Sequence, residues 1–566
     1  MSKRKNMYSL LTVLWIAAIA ALTAGASQAQ TFSILYNFKG QPDGANPYGA
    51  LVEDSSGNLY GTTQIGGTSN LGSVFKVDPA GNETVLHSFA GGADGATPLA
   101  SVVVDPAGNL YGTTWSGGAN NVGVVFKVDA SGNETLLHTF TDKSDGAGPR
   151  GSLILDSAGN LYGTTIGGGN GSGGGVVFKL DPTGQESVLY AFTLADGGLP
   201  EAGLLRDSAG NLYGTTTFGG GAGAGPSGTV FKLDSAGNFS TLHAFSGGAD
   251  GGEPTSVLIQ DKAGNLYGTT QEGGIVPSNG ECFFGCGVVF KLDSTGKETV
   301  LYSFMGGTDG ANPYAGVVQD GSGNLYGTTA GISVIFKLNP AGNETVLYPF
   351  PVGTGLAAPF GGLIQDSAGN FFGAASFGSS NGGGSGVVFK LVPPGFSFAA
   401  TVLAPSPVAP GGSATATLDT TAAGGFNSAI SFTCSVQPQP ALAPNCSFSS
   451  SSAAPGTPVT LTVSTVGPSA AAASPGTARG IFSALWLPLI GFVVLRLNPK
   501  RKTRTSAVAL ACVIFAGLAS GVGCGGGSGG SGSNLGTPAA TYTITITGTS
   551  ASSSIQNSTS ATLTVN

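Results

Sequence analysis

The heptapeptide GNLYGTT at residues 57–63 recurs unchanged at 108, 159, 210, 264 and 323, and once more, altered, as GNFFGAA at 369. Its tyrosines Tyr60, Tyr111, Tyr162 and Tyr213 are spaced 51 residues apart, and the later intervals are 54 to Tyr267, 59 to Tyr326 and 46 to Phe372. A self-similar period near 50 residues must be satisfied by one supersecondary unit that stacks against copies of itself. Each unit holds four strand candidates, for example GALVED, NLYGTT, SVFKVD and ETVLHSF in residues 49–89. All are short, rich in β-branched and aromatic residues, and bounded by turns. With 97 glycines in 566 residues and 9% charged residues, the chain is too turn-dense for helix bundles and too apolar for disorder.

The turns follow a rule. Between the first and second strands every unit carries Asp-x-x-Gly, with Asp54, Asp105, Asp156, Asp207, Asp261, Asp320 and Asp366 as the aspartates. The pattern recurs between the third and fourth strands, as in Asp78 to Gly81 and Asp129 to Gly132, with Asn339 replacing Asp in the sixth unit. Asp opens a type I turn, and Gly supplies the left-handed residue that closes a bulged hairpin. The seven aspartates are therefore turn caps that accept backbone hydrogen bonds, rather than a ring of catalytic carboxylates. Gly61 and its counterparts are expected to admit a close neighbour, here a neighbouring sheet.

The seventh third-strand, GVVFKLV at 386–392, has no fourth strand after it, because the chain runs into Pro393-Pro394-Gly395. The missing pattern lies at the other end of the chain, as FSILYNF at 32–38. Pairing the two removes an open sheet edge. Residues 30–393 are thus expected to form a seven-bladed β-propeller, closed by its N-terminal strand. This segment resembles the Gloeo/Verruco (GloVer) tandem-repeat family of secreted bacterial proteins, on GNLYGTT, on the VFK motif from Val74-Phe75-Lys76 to Val388-Phe389-Lys390, and on the GG-x-DG turns. The resemblance implies an exported repeat protein and no defined catalytic activity.

Chemistry is sparse. The net charge of -8 offers no electrostatic footprint for nucleic acid. His87, His138 and His243 occupy one position of the fourth strand, where other units have Tyr, so they read as packing residues on different blades. The VFK lysines recur in every unit and read as scaffold. Symmetry is broken in the loops between second and third strands, which place Gln64, Trp115, Gln271, Glu272 and the Cys282/Cys286 pair on one variable face. Trp115 suits stacking on a sugar ring or a peptide side chain, with simple coverage of apolar surface as the competing role. The Asp-Gly turns at 43, 94, 145, 196, 250 and 309 offer one carboxylate each, so turn formation is expected there rather than Ca²⁺ binding. No metal or other cofactor, and no catalytic set, is expected.

Residues 1–29 read as a signal peptide, with Lys3, Arg4 and Lys5 ahead of an apolar run and a small-residue cleavage site. In the exported chain, Cys282–Cys286 and Cys434–Cys446 are expected disulfides. Residues 394–566 turn to Ser, Thr, Ala and Pro with alternating strands, and resemble an immunoglobulin-like β-sandwich. It is interrupted by two apolar runs at 480–524 around a basic connection, Lys500-Arg501-Lys502 and Arg504, followed by a Gly/Ser linker at 525–537. We read 480–524 as a helical membrane hairpin with the basic cluster on the cytoplasmic side; a processed sorting signal is the competing reading.

The sequence therefore describes an all-β, exported, membrane-anchored repeat protein that binds a glycan, peptide or envelope component. The alternatives are a propeller-type lyase or hydrolase acting near the central channel, and a structural surface-layer protein. The hairpin is directly testable. In a background lacking Cys512 and Cys524, Ser531→Cys should be labelled in intact cells by an impermeant thiol reagent and Thr503→Cys should not. Labelling at 503 would overturn the hairpin.

Overall fold

In a computed structural model the described residues are 30–566, apart from 170, 172, 221–226, 279, 352–356, 378–383, 469–535 and 551–554. The expected signal peptide at 1–29 and the expected hairpin at 480–524 lie outside them, as does most of the expected linker. Among the described residues no helix is long and apolar enough to cross a membrane. The chain divides into two compact units, the first carrying the repeats and the second most of the residues beyond 397.

The repeat unit is all-β and propeller-like: among the described residues it holds seven antiparallel sheets, six with four strands and one with a fifth. The second repeat is representative, with Val103–Val104, Leu110–Thr114, Val124–Val128 and Glu134–Thr139 paired in sequence order. The sheet of the last repeat takes its outer strand from the start of the chain. Thr31–Asn37 pairs antiparallel with Val387–Val392, from Thr31 opposite Val392 to Asn37 opposite Val387.

Every letter of GNLYGTT has a physical job. Gly57 sits at φ +79°, a left-handed value that L side chains resist. Asn58 donates its side-chain amide to Asp54 Oδ2 at 2.7 Å, and its backbone N–H to Oδ1 at 2.9 Å. Leu59 is buried. Tyr60 donates its hydroxyl to the same Asp54 Oδ2 at 3.0 Å. Thr62 donates across to the next sheet, at Ala100 O, 2.7 Å away. Thr63 shares a 2.7 Å hydroxyl–hydroxyl bond with Ser73. In the later repeats the VFK lysines Lys127, Lys179, Lys232, Lys291, Lys337 and Lys390 lie over the ring opposite them, as Lys127 does over Tyr111 at 5.7 Å.

Gly61 answers to a different neighbour from the one its sequence context suggested. A Cβ there would meet the ring of Phe75, which belongs to the adjacent strand of the same sheet, at 2.7 Å. The same overlap, 2.5 to 2.7 Å, recurs at Gly112, Gly163, Gly214, Gly268, Gly327 and Gly373. The far end of the VFK phenylalanine ring occupies the space over its cross-strand glycine because that position has no side chain. That ring is then met edge-on by a phenylalanine from the preceding sheet. The pairs are Phe38–Phe75, Phe89–Phe126, Phe140–Phe178, Phe192–Phe231, Phe245–Phe290, Phe304–Phe336 and Phe350–Phe389, with centroids 4.9 to 5.7 Å apart. Each edge-to-face pair adds about 0.5–1.5 kcal/mol beyond the area it buries.

The second unit has two four-stranded sheets. One includes Ser413–Ala423 and Val459–Ser464; the other includes Ile430–Gln437, Ala540–Ser550 and Gln556–Val565. Period-2 alternation buries Ala414, Ala416 and Leu418 from one sheet and Tyr542, Ile544 and Ile546 from the other. Cys434 and Cys446 form a disulfide from one sheet to the other, and Phe432 and Phe448 meet beside it at 5.9 Å.

Gly112→Ala tests the glycine contact, since a methyl there would lie 2.5 Å from Phe126 Cζ. It should destabilise the repeat unit by about 1–3 kcal/mol, as overpacking does, measured by denaturant unfolding. Unchanged stability would remove the steric role assigned to this glycine.

Candidate functional site

Three places on the repeat unit concentrate side chains that differ between repeats or lack partners. The first is central. Each repeat has a proline followed by one variable residue, and those residues are Tyr48, Leu99, Arg150, Glu201, Thr255, Tyr314 and Phe360. All seven line one cavity of about 180 Å³. Arg150 Nη1 bonds Glu201 Oε1 at 2.8 Å, and Tyr314 donates its hydroxyl to Glu201 Oε2 at 2.9 Å. Tyr48 stacks on Phe360 with centroids 4.7 Å apart, and both meet Tyr314 edge-on. The Arg150 guanidinium sits 6.0 Å from the Tyr48 ring centroid. Burial, then the Glu201 charge, holds the Tyr314 hydroxyl far above the usual phenol range. Both Glu201 oxygens are thus engaged, one by Arg150 and the other by Tyr314.

Sequence reasoning passed over this position because it looked for asymmetry only in the long loops. The signal was present: in a repeat whose neighbours are invariant, the residue after the proline changes type in almost every unit. Arg150→Met should cost about 2 kcal/mol of stability, because it strands the Glu201 carboxylate in a largely buried site. Adding Glu201→Gln should restore part of the loss, as read by thermal unfolding of the two variants.

The second place holds the predicted variable-face residues. Gln64, Trp115 and Gln271 occupy equivalent positions in repeats one, two and five, Gln64 within the longer strand Leu59–Gly66 and the other two just beyond their second strands, and Glu272 follows Gln271. Trp115 is 44% exposed and heads a cavity of about 300 Å³, lined also by Asn121 of its own repeat, by Asp142 in the turn that follows that repeat's last strand, and by Gly148 and Ile166 beyond it. Gly148, at φ +61°, lets the chain pass beneath the indole: a Cβ there would lie 3.2 Å from Trp115 Nε1. Gln64, Gln271 and Glu272 do not line this cavity. Burial raises the Glu272 carboxyl above its ordinary range; Glu253 is raised as well, by burial first and then by the charge of Glu272. Cys282 and Cys286 form a disulfide, and Phe283 within that loop is 84% exposed.

The third place is the seam between the outer strands of adjacent sheets. In six of the seven seams the fourth-strand His or Tyr of one repeat faces the aspartate of the Asp-Gly turn that follows it; Tyr348 has no such turn after it. Tyr36, Tyr190 and Tyr302 donate their hydroxyls to Asp43, Asp196 and Asp309 at 2.8, 2.6 and 3.0 Å. The histidine rings sit edge-on to Phe89, Phe140 and Phe245 on one side, in keeping with a packing role. On the other side His87, His138 and His243 point Nε2 at Asp94, Asp145 and Asp250, at 3.0, 3.6 and 3.6 Å. These aspartates also cap their turns: Asp94 accepts from Ala90 N, Asp145 from Thr141 N and Asp250 from Ser246 N. Into five of the seams the next repeat places a glutamate: Glu83, Glu134, Glu186, Glu298 and Glu344. Each has a buried Oε1 with no hydrogen-bond partner. Burial, followed by the nearby aspartate, pushes the Glu134 carboxyl up to about 7. In the remaining two seams the glutamate is replaced by Phe239 or Phe32, which stack on Tyr190 and Tyr348 at 4.0 and 3.8 Å.

Similarities to known proteins bear on the fold and the family. No curated protein matches the chain. Solved structures that resemble it include virginiamycin B lyase from Staphylococcus aureus, at 14% identity over 64% of this chain and 99% of that one, with a TM-score of 0.44. PorZ, a surface component of the type-IX secretion system of Porphyromonas gingivalis, shares 12% identity over 93% of this chain and 60% of its own, with a TM-score of 0.42. The Aleuria aurantia lectin, in complex with a fucosylated sugar, shares 11% over 56% and 98%, with a TM-score of 0.33. At such values the likeness says nothing of activity or ligand. The Gloeobacter/Verrucomicrobia repeat matches residues 22–227 and 202–350, more than half of the 566 residues and most of the GNLYGTT copies. The chain is a member of the Gloeobacter/Verrucomicrobia repeat family.

Proposed function

We propose that residues 30–393 form a closed seven-bladed β-propeller acting as an exported binding module, and that its ligand is a glycan of the cell envelope taken up at Trp115. One observation carries this reading: the indole is 44% exposed at the head of a cavity of about 300 Å³ that also holds Asp142 and Asn121. An aromatic face beside a carboxylate and an amide is the chemistry that recognises sugars, whose apolar ring faces stack while their hydroxyls donate. Closure of the ring draws support from the pairing of Thr31–Asn37 with Val387–Val392 and from the seven phenylalanine pairs. The axial cluster favours binding over lyase or hydrolase chemistry at the channel, because Glu201 is already committed to Arg150 and Tyr314.

For the second unit we propose an immunoglobulin-like sandwich, and for 480–524 a membrane hairpin that leaves the chain anchored on the outer side of the membrane. Support comes from the strands on either side of that segment. Ile430–Gln437 pairs with Ala540–Ser550 along its whole length, from Ile430 opposite Ser550 to Gln437 opposite Thr543. A strand from before the segment therefore pairs with the strand directly after it, as a segment that departs and returns on the same side requires.

The test is an array of bacterial envelope glycans probed with the full chain in detergent, followed by calorimetry on the best ligand. Trp115→Ala should weaken binding about 30-fold, equivalent to about 2 kcal/mol, while costing under about 1 kcal/mol of stability. No saccharide bound, or equal losses of binding and stability, would overturn the glycan reading.

A further inference from the structure

The seam between the first two sheets brings together three side chains of metal-binding type from two repeats. His87 comes from the fourth strand of the first repeat, Asp94 from the turn after it, and Glu134 from the fourth strand of the second. Their ligand atoms all lie within 4.8 Å of one another. His87 Nε2 is 3.0 Å from Asp94 Oδ1, and Glu134 Oε1 is buried with no hydrogen-bond partner. Among the described residues, no lysine or arginine forms an ion pair with either carboxylate. Two acidic groups and an imidazole thus share a largely enclosed space without a compensating cation.

We propose that this seam is a divalent-cation site, with zinc the ion its donors fit best, held by His87 Nε2 and the carboxylates of Asp94 and Glu134. An imidazole nitrogen with two carboxylate oxygens is an ordinary zinc donor set, and three protein ligands leave a fourth position for water. Donors about 2.0 Å from a tetrahedral zinc lie roughly 3.3 Å from each other. His87 and Asp94 already have that separation, and the glutamate closes the rest by a side-chain rotation. The bound ion joins two neighbouring sheets at their outer edges, where the phenylalanine pairs do not reach.

Variation among the seams argues for a site rather than a generic feature of the repeat. Where Tyr replaces His, the phenol donates its proton to the aspartate, as Tyr36 does to Asp43, and no nitrogen ligand remains. Where Phe replaces Glu, as at Tyr190 with Phe239, the space is filled by ring stacking. His138 with Asp145 and Glu186, and His243 with Asp250 and Glu298, repeat the donor set more openly, each Nε2 lying 3.6 Å from its aspartate. These make weaker copies of the first seam.

The experiment titrates the purified full chain in detergent with zinc chloride, by calorimetry, and with cobalt chloride, by visible absorption. Two variants keep the fold within the repeat's own vocabulary: His87→Tyr installs the residue used by Tyr36, Tyr190 and Tyr302, and Glu134→Gln keeps shape without charge. The wild type should bind zinc, give the absorption bands of cobalt in a nitrogen–oxygen site, and melt at a higher temperature with metal than without. Each variant should bind its tightest zinc more weakly by more than about tenfold. Anomalous diffraction from zinc-soaked crystals of the wild type should place the ion between His87 and Glu134. No zinc binding by the wild type, unchanged affinity in both variants, or an anomalous peak elsewhere would each overturn the proposal.

Discussion

The repeat unit depends on one contact, made seven times: a phenylalanine ring lying on a glycine in the neighbouring strand of its own sheet. Gly112 has no side chain, so the Phe126 ring can sit against the strand, and a methyl group there would already be 2.5 Å from Cζ. The same Phe126 ring makes an edge-to-face pair with Phe89 of the preceding sheet, with centroids 5.1 Å apart. Pairing within a sheet and packing between sheets are thereby fixed by the same two residues. A large aromatic core residue, fully buried, is obtained from a strand that pays the entropic penalty of glycine.

The rest of the heptapeptide serves the corner that feeds this strand. Asp54 accepts from two backbone N–H groups, one amide and one phenol, so its carboxylate is held below its ordinary range by Asn58, Ser56 and Tyr60 even though burial opposes this. The corner is rigid because one acceptor satisfies donors from both sides of the turn. Asn and Tyr are therefore as much part of the hairpin as Asp and Gly are.

What could be read from the chain alone follows sequence distance. Asp-x-x-Gly turns act over three or four residues, and strand alternation over two, so the strands, the hairpins and the orphan strand at 32–38 were all visible. The role of Asp54 as a turn cap was legible; its bond to Tyr60, six residues on and across the hairpin, was not. Gly61 was correctly marked as a point of close approach but assigned the wrong neighbour, because the direction a ring takes is set by cross-strand register rather than by spacing. The histidines were recognised as packing residues on separate sheets. Their aspartate partners, seven residues on, were read only as turn residues, and Glu134 was missed because it lies far along the chain from His87 and meets it only when two repeats stack. The axial residues escaped for another reason. Arg150 and Glu201 stand in short, regular segments, where variation looks like noise until the geometry gathers them at one point.

The strand at 31–37 has a consequence in time rather than in space. It is among the first described segments to be synthesised, yet its partner at 387–392 is among the last of the repeats. Every other strand in these sheets finds its partner within its own repeat, a few residues after it is made. The first strand must instead be carried unpaired through the synthesis of all seven repeats. Joining the ends of so long a loop adds only a slow, logarithmic entropy cost, so the final pairing is not dear in free energy. It is late. Until it happens, two sticky edges are open at once, one at each end of an otherwise finished stack of sheets. A neighbouring copy of the chain, synthesised alongside, offers the same strand to the same edge. Whether a clasp of this kind shuts on itself or on its neighbour is then a question of concentration and patience during synthesis, decided before stability has any say.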